Sequence, residues 1–292
     1  IARQALVTMM VPATHRGRLL STLAGANRFG LLVGPFLATA VIATAGSPSA
    51  VFVAALGLLA LGAVAVQWLP DPDRDGASPG VLPGRGARAP RATVLETVRG
   101  NRGVLLRLGP VIMVVLAMRQ GRTALIPLFG VWLGLPAGDI ALVVGVAAAL
   151  DFALFYPGGV LIDRFGRAKV GVPSLLIFVS GWTVLGVTGL AAQSGPAGTT
   201  WVGWYVIAAL LVALGNGISS GLVATMGADV ADPRRPATFL AVWQLTSNLG
   251  SVATPVLVSG VTAVASLAAA SLALGTLVVA GAVLTAVFGS EE

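Results

Sequence analysis

Long apolar runs separated by short polar or basic connections dominate the chain. A helix that crosses a membrane needs about 20 mostly apolar residues. The runs are too long for the strands of a transmembrane barrel, and an open sheet leaves unpaired edges in lipid. The pattern therefore predicts an all-α, multi-pass transmembrane bundle. Its eight spans are expected at residues 19–45, 49–69, 104–135, 139–162, 170–192, 200–228, 237–261 and 265–288.

Composition agrees with a lipid environment. The chain is 56% hydrophobic and 10% charged, whereas soluble domains carry about 25% charged residues. It has no cysteine and one histidine, which excludes thiolate chemistry and most multi-ligand metal centres. Because no set of nucleophile, base or metal ligands converges, we expect no enzyme and no cofactor beyond a proton or other ion gradient.

The arginine and lysine residues indicate how the chain is oriented. Alternate connections carry them, and the other connections carry none. Because cytoplasmic loops retain Lys and Arg, this pattern places the C-terminus in the cytoplasm and the protein in the inner (cell) membrane. It also explains the net charge of +7 without nucleic acid. The expected partners are a small-molecule substrate and membrane lipid, and the expected state is a monomer. The basic connections are 14–18, 71–102, 163–169 and 232–235.

An internal repeat predicts two related halves. Shifting the sequence against itself superimposes Gly30 on Gly250 and Pro35 on Pro255, and repeats of this kind are typical of transporters with a midplane site. We expect residues 1–70 to be the end of an N-terminal half, 71–102 an unstructured cytoplasmic linker, and 103–292 a six-helix C-terminal half. Residues 1–11 make only about half a span. We therefore expect a partial helix 4 followed by helices 5 and 6, in a fragment that lacks about the first three helices.

One connection carries a recognisable signature, GGVLIDRFGRAKV at 158–170. It resembles the loop signature of the major facilitator superfamily, G-x-x-x-D-R-x-G-R-[KR], although Lys169 stands one place beyond the usual basic position. The resemblance implies a two-half, pseudo-symmetric helical bundle that works by alternating access. The matching residues are Gly159, Asp163, Arg164, Gly166 and Arg167.

In that family the aspartate engages basic residues and a helix N-terminus of the other half, and so holds the cytoplasmic side shut. By resemblance, the partners of Asp163 would be Arg16 or Arg18, and the motif would be a conformational gate. On physical grounds, Gly159 is expected to allow close helix approach and Gly166 to supply a tight turn. The alternative is a solvated, positive-inside turn without a gate.

A second signature lies in the first long run. Gly30, Gly34 and Pro35 are similar to the "antiporter" motif G-x-x-x-G-P-x-x-G-G of proton-coupled exporters in the superfamily. Ala38 and Thr39 replace the final glycine pair. The resemblance implies export, whereas the alternative is ordinary helix packing.

Four charged residues are expected near the midplane: Arg28, Arg119, Arg122 and Asp151. At 1.5 Å per residue, Arg28 lies about 15 Å and Arg119 and Asp151 about 18 Å from the inner face, with Arg122 one turn further on. A buried charge in a span is a functional candidate. We expect Asp151 to pair with Arg119 or Arg122, either as a proton- or substrate-responsive site or as a structural ion pair. The surplus positive charge could attract an anion or be balanced by carboxylates of missing helices. Asn248 is a further candidate for the pathway.

A third pattern, GISSG at 217–221, matches the G-x-S-x-G of serine hydrolases. That motif needs a strand–turn–helix and a histidine within reach, whereas Ser219 stands in an apolar run. We expect Gly217 and Gly221 to form a packing face instead.

The sequence thus predicts a secondary active transporter, with proton-coupled export of a small organic compound as the first hypothesis. The alternatives are an uptake permease for a sugar or organic anion, and a non-transporting membrane receptor or fragment.

Overall fold

A computed structural model describes residues 13–67, 94–194, 199–230 and 236–288. The predicted half-span at residues 1–11 and most of the predicted linker lie outside these ranges. Within them, every regular element is a helix. The helices are α1 (Ala13–Ala45), α2 (Ala50–Gln67), α3 (Val94–Gly100), α4 (Arg102–Trp132), α5 (Ala137–Phe165), α6 (Arg167–Ser194), α7 (Thr199–Ile218), α8 (Leu222–Asp229), α9 (Pro236–Val264) and α10 (Leu267–Phe288).

The described helices include eight stretches long and apolar enough to cross a membrane. Each overlaps one of the predicted runs, so the prediction of an all-helical, multi-pass bundle is confirmed. Helix formation follows from the solvent, since a backbone in lipid must satisfy its polar groups within the segment. α4 runs through Pro127 without interruption.

Two details differ from the sequence prediction. The prediction that all of 71–102 is unstructured is wrong for Val94–Gly100, which forms α3. There Thr97 is buried, and α3 packs against α4 and α9. The second difference is that the single helix predicted at 200–228 is divided into α7 and α8.

The chain divides into two compact units, residues 1–91 and 92–292. In the first, α1 and α2 pack together across a tight turn. Gly46 lies in the left-handed region with φ of 67°, where a side chain would be strained. Its amide donates to the carbonyl of Ile42 at 2.9 Å, which ends α1.

The second unit has two buried apolar clusters. The larger lies between α4, α6, α7 and α10 around the fully buried Phe129, Trp182 and Tyr205. The smaller includes residues of α4, α8 and α9, among them Leu222 and Trp243. α7 contributes to the larger cluster, whereas α8 contributes to the smaller one.

Small residues let the helices of this unit approach one another closely, as expected in lipid. A Cβ on Gly250 of α9 would strike the backbone carbonyl of Met113 on α4. Near this contact, the Thr254 hydroxyl donates to the carbonyl of Ala117 at 3.1 Å. These contacts fix α9 against α4, the helix that carries Arg119 and Arg122.

Candidate functional site

Asp151 occupies the middle of α5, twelve residues from both Asp139 and Asp163. At 1.5 Å per residue it lies about 18 Å from either of them. Its Oδ2 is 3.4 Å from Nη1 of Arg122 on α4. Its Oδ1 accepts a hydrogen bond of 2.7 Å from Nδ2 of Asn216 on α7. The carboxylate therefore joins three helices.

The two arginines of α4 make different contacts. Arg122 faces Asp151, and the two side chains are 21% and 14% exposed. Arg119 lies one turn earlier, and its Nη2 donates to the carbonyl oxygen of Ser219 at 2.8 Å. Of the two partners that the sequence proposed for Asp151, the structure brings Arg122 to it and places Arg119 on the backbone between α7 and α8.

That backbone segment is a break in the helix. α7 ends at Ile218 and α8 begins at Leu222. The amide of Ser220 donates to the carbonyl of Gly217 at 3.3 Å, and the amide of Leu222 to that of Ser219 at 3.0 Å. These bonds span three residues instead of four. A break at membrane depth is tolerated where the chain is buried in protein or lines a water-filled cavity.

Two buried polar atoms at the break have no hydrogen-bond partner in the described part of the chain. They are Oδ1 of Asn216 and Oγ of Ser220, and both side chains belong to buried residues. Buried polar groups are normally paired. Asn216 lies beside Asp151, so the break adjoins a polar site inside an otherwise apolar bundle.

Close packing between α5 and α7 holds the carboxylate and the break together. A Cβ on Gly158 would lie 2.7 Å from the carbonyl oxygen of Ile218, and one on Gly217 would lie 2.7 Å from Cβ of Leu154. The packing role predicted for Gly217 is confirmed. A Cβ on Gly221 would meet Ile162 at an ordinary 3.7 Å, so that glycine is not crowded.

The prediction that Gly159 allows close helix approach is wrong for the second unit. A Cβ at Gly159 would find nothing within 4 Å, and it is the preceding glycine, Gly158, that touches α7. Successive residues of a helix point about 100° apart, because 3.6 residues complete one turn. Only one glycine of the pair can therefore face the neighbouring helix.

Each side of the break is fixed to a different helix. The hydroxyl of Tyr205 on α7 donates to the carbonyl of Ile126 on α4 at 3.0 Å. On α8, the carbonyl of Val223 accepts from the indole of Trp243 on α9 at 3.0 Å, and a Cβ on Gly227 would lie 2.6 Å from that nitrogen. The break is thus the connection between two separately anchored segments.

The signature loop lies at the end of α5. Gly166 has φ of 88° and ends α5 as its C-cap, which confirms the predicted tight turn. Asp163 and Arg164 are exposed, and the Arg164 guanidinium carbon lies 5.5 Å from the centroid of the Phe165 ring.

Arg167, the last residue of the signature, forms an ion pair with Asp229 at the end of α8. Sequence reasoning missed this contact, because the two residues are 62 positions apart. The proposed gate partners of Asp163 fall elsewhere. The backbone of α1 includes Arg16 and Arg18, but their side chains are outside the described part of the chain.

The second signature lies on α1. Pro35 stands inside the helix, and its carbonyl accepts from the hydroxyl of Thr39 at 3.0 Å. A Cβ on Gly30 or Gly34 would find nothing within 4 Å. Arg28, on the same helix, is half-buried. The glycines are therefore uncrowded in the first unit taken by itself.

Two further polar pairs lie on the surface of the second unit. Nε2 of Gln244 donates to Oδ1 of Asn248 at 3.0 Å, and Nε2 of Gln120 donates to Oγ1 of Thr123 at 3.2 Å. On the same helix as Asn248, the exposed Leu249 is typical of a lipid-facing side chain. Amides are costly in hydrocarbon, so the face bearing Asn248 suits a polar pathway or a protein contact.

The site residues that sequence reasoning missed had only a weak signal. Glycine and serine at 217–221 are poor helix formers, and such pairs are frequent at helix kinks. The pattern predicts a packing face and does not by itself indicate a helix break. Nothing in the local sequence shows that Arg119, a hundred residues away, donates to that backbone.

Comparison with known proteins identifies the family. A model of the Major Facilitator Superfamily matches residues 1–155, just over half of the 292 residues. No curated protein matches the chain. The match covers α4 with Arg122 and the part of α5 that carries Asp151, and it agrees with the eight membrane-capable helices among the described residues. The chain therefore belongs to the Major Facilitator Superfamily and is an integral membrane protein of a transporter family.

Proposed function

We propose that the protein is a proton-coupled transporter that exports a small organic compound by alternating access, with Asp151 as the group that gains and loses the proton. Membership of the superfamily supports membrane transport in general. The proton, the direction and the kind of substrate are the proposed parts. The observation that carries the proposal is the contact of Asp151 with both Arg122 and Asn216.

A carboxylate in the middle of a membrane is costly and is rarely kept without a function. The Asp151 side chain is 14% exposed, so it is not sealed within the second unit. Protonation removes the charge that holds Arg122 and weakens the hydrogen bond from Asn216. Since the three residues lie on α5, α4 and α7, the two protonation states favour different packing of these helices.

The direction of transport rests on α1. Gly30, Gly34 and Pro35 are similar to the motif of proton-coupled exporters, although Ala38 and Thr39 differ from its end. An exporter that uses an inward proton gradient must carry substrate and proton in opposite directions. The arginine-rich connections support a cytoplasmic C-terminus in the cell membrane.

Proteoliposomes that contain the purified protein and an internal pH-sensitive dye test this proposal. A panel of small organic compounds is added with and without an imposed pH gradient. We expect at least one compound to move against the proton, with a substrate-dependent change of internal pH. Transport without any pH change, or substrate and proton moving in the same direction, would contradict proton-coupled export.

A cytoplasmic gate is part of the same proposal. Asp163 would hold the inner side shut through Arg16 or Arg18. A double-mutant cycle with Asp163→Asn and Arg16→Gln or Arg18→Gln measures the coupling in transport rate. A double variant no slower than the slower single variant supports the gate, whereas additive losses for both arginines remove it.

A further inference from the structure

The two partners of the Asp151 carboxylate differ in what they can bond to. Nη1 of Arg122 lies 3.4 Å from Oδ2, and Nδ2 of Asn216 lies 2.7 Å from Oδ1. A guanidinium is a cation that only donates hydrogen bonds, whereas the amide of an asparagine has two donor hydrogens and an acceptor oxygen. Arg122 therefore pairs with the charged carboxylate, while Asn216 is able to bond to Asp151 in either protonation state.

The acceptor of that amide is unused in the structure. Oδ1 of Asn216 is buried and has no hydrogen-bond partner among the described residues, although buried polar atoms are normally paired. Within the same part of the chain, the contact with Asp151 is the one hydrogen bond of the Asn216 side chain, so no second bond holds the amide in its present orientation. Turning the amide over exchanges an oxygen and a nitrogen of similar size and needs no additional space.

We propose that Asn216 is a positioning residue that keeps Asp151 hydrogen-bonded to α7 in both protonation states, so that proton uptake breaks the contact with Arg122 alone. This inference rests on the proposed role of Asp151 as the proton carrier and deepens it. In the charged state, the amide donates to Oδ1 of the carboxylate. When that oxygen takes up one proton from water, the amide turns and its own oxygen accepts the new O–H. Arg122 keeps its proton and loses its anionic partner.

The surroundings favour the oxygen beside Asn216 as the place of the proton. Oδ2 of Asp151 faces the guanidinium of Arg122, which has no acceptor for an O–H group. A proton on Oδ1 instead meets the unused acceptor of Asn216.

Arg122 is the charged group whose contact with Asp151 the structure shows. α5 packs against α4, α6 and α7. From α4, Arg119 lies one turn before Arg122 and donates to the carbonyl of Ser219. α7 carries no Asp, Glu, His, Lys or Arg, and the hydroxyl of its Tyr205 donates to α4. The other charged residues of α4, α5 and α6 lie in the first or last two turns of their helices: Arg102, Arg107, Asp139, Asp163, Arg164, Arg167 and Lys169.

The proposal also states which helices stay together when the proton binds. α5 and α7 are in close contact at Asp151 itself, since a Cβ on Gly217 would lie 3.1 Å from the carbonyl oxygen of Asp151. Gly158 makes a second close contact, with the backbone of Ile218. Together with the hydrogen bond to Asn216, these contacts keep α5 and α7 as a pair. Proton uptake then releases α4 from this pair at the level of Arg122.

Thermal unfolding of the purified protein in detergent, measured from mildly alkaline to mildly acidic pH, tests the proposal. Each variant is compared with the unmodified chain at the same pH. We expect the Tm deficit of Arg122→Gln to disappear on acidification, because a protonated Asp151 no longer needs a cation. The deficit of Asn216→Leu should persist at about half its size, since a neutral hydrogen bond is about half as strong as a charge-assisted one. Asp139→Asn, at the start of α5, is the control and should follow the unmodified chain.

Asn216→Asp has the size of the native side chain and keeps the proposal testable even if Asn216→Leu does not fold. It removes the donor and keeps an acceptor oxygen. We expect a large Tm deficit at alkaline pH, where two carboxylates face each other, and recovery on acidification, when one acid donates to the other. A deficit of Asn216→Leu that disappears in parallel with that of Arg122→Gln, or an Asn216→Asp variant without acid recovery, would overturn the proposal.

The same series separates this inference from the proposed function. If the deficit of Arg122→Gln does not change with pH, Asp151 takes up no proton, and its role as the proton carrier fails together with the inference. If the deficits of Arg122→Gln and Asn216→Leu both disappear, Asp151 remains the proton carrier and Asn216 loses its positioning role.

Discussion

Nδ2 of Asn216 lies 2.7 Å from Oδ1 of Asp151, and this hydrogen bond connects α7 to α5 one turn before the helix break. Asn216 is buried, and the opposite oxygen of the carboxylate faces Arg122. The amide thus fixes the carboxylate to the segment that ends at the break. Loss of this bond should affect both stability and the response to protons.

Asn216→Leu is expected to lower the free energy of unfolding by about 1–3 kcal/mol, because a partly buried carboxylate loses a donor. The measurement is thermal unfolding of the purified protein in detergent. Asn248→Leu is the matched control, since that amide is exposed and bonds within its own helix. An equal loss of stability in both variants would show that the hydrogen bond to Asp151 contributes no more to stability than the exposed bond between Gln244 and Asn248.

Neighbouring glycines give a second prediction. Gly158→Ala places a Cβ 2.7 Å from a backbone oxygen of α7, so α5 and α7 must separate, at a cost of about 1–3 kcal/mol. Gly159→Ala adds a methyl group to open space and should be neutral or stabilise the helix by up to about 1 kcal/mol. Thermal unfolding and transport are measured for both. The reverse order would place the close contact at Gly159 after all.

The ion pair between Arg167 and Asp229 links the signature loop to the end of α8. Because the two side chains are 39% and 28% exposed, its contribution to stability should be below about 1 kcal/mol. If it also orients α8 during transport, Arg167→Gln and Asp229→Asn should slow transport to a similar extent, and the double variant should be no slower than either. A double-mutant cycle of transport rates measures this. Additive losses would separate the two residues.

Much of the fold could be predicted from the sequence because lipid imposes simple rules. A span needs a long apolar run and a helical backbone, and both are visible in the order of residues. The pairing of Asp151 with an arginine of α4 could be expected from their similar spacing to the nearest loop charges, and the structure brings Arg122 to it.

The break between α7 and α8 could not be predicted in the same way. Arg119 contacts it by donating to Ser219 from another helix, and Gly158 lets α5 approach it. Neither contact has a local signal. The signature motif predicts the close contact at Gly159, whereas Gly158 makes it. Which of two successive helix residues faces a neighbouring helix depends on tertiary packing, which the motif does not encode.

The most direct test of proton coupling is transport by Asp151→Asn in proteoliposomes with an imposed pH gradient. The substitution keeps the size of the side chain and removes the carboxylate, and Asp139→Asn at the start of α5 is the matched control. We predict that Asp151→Asn inserts normally and loses the acceleration by the pH gradient, while Asp139→Asn keeps it. Normal gradient-driven transport by Asp151→Asn would contradict the role of Asp151 as the proton carrier.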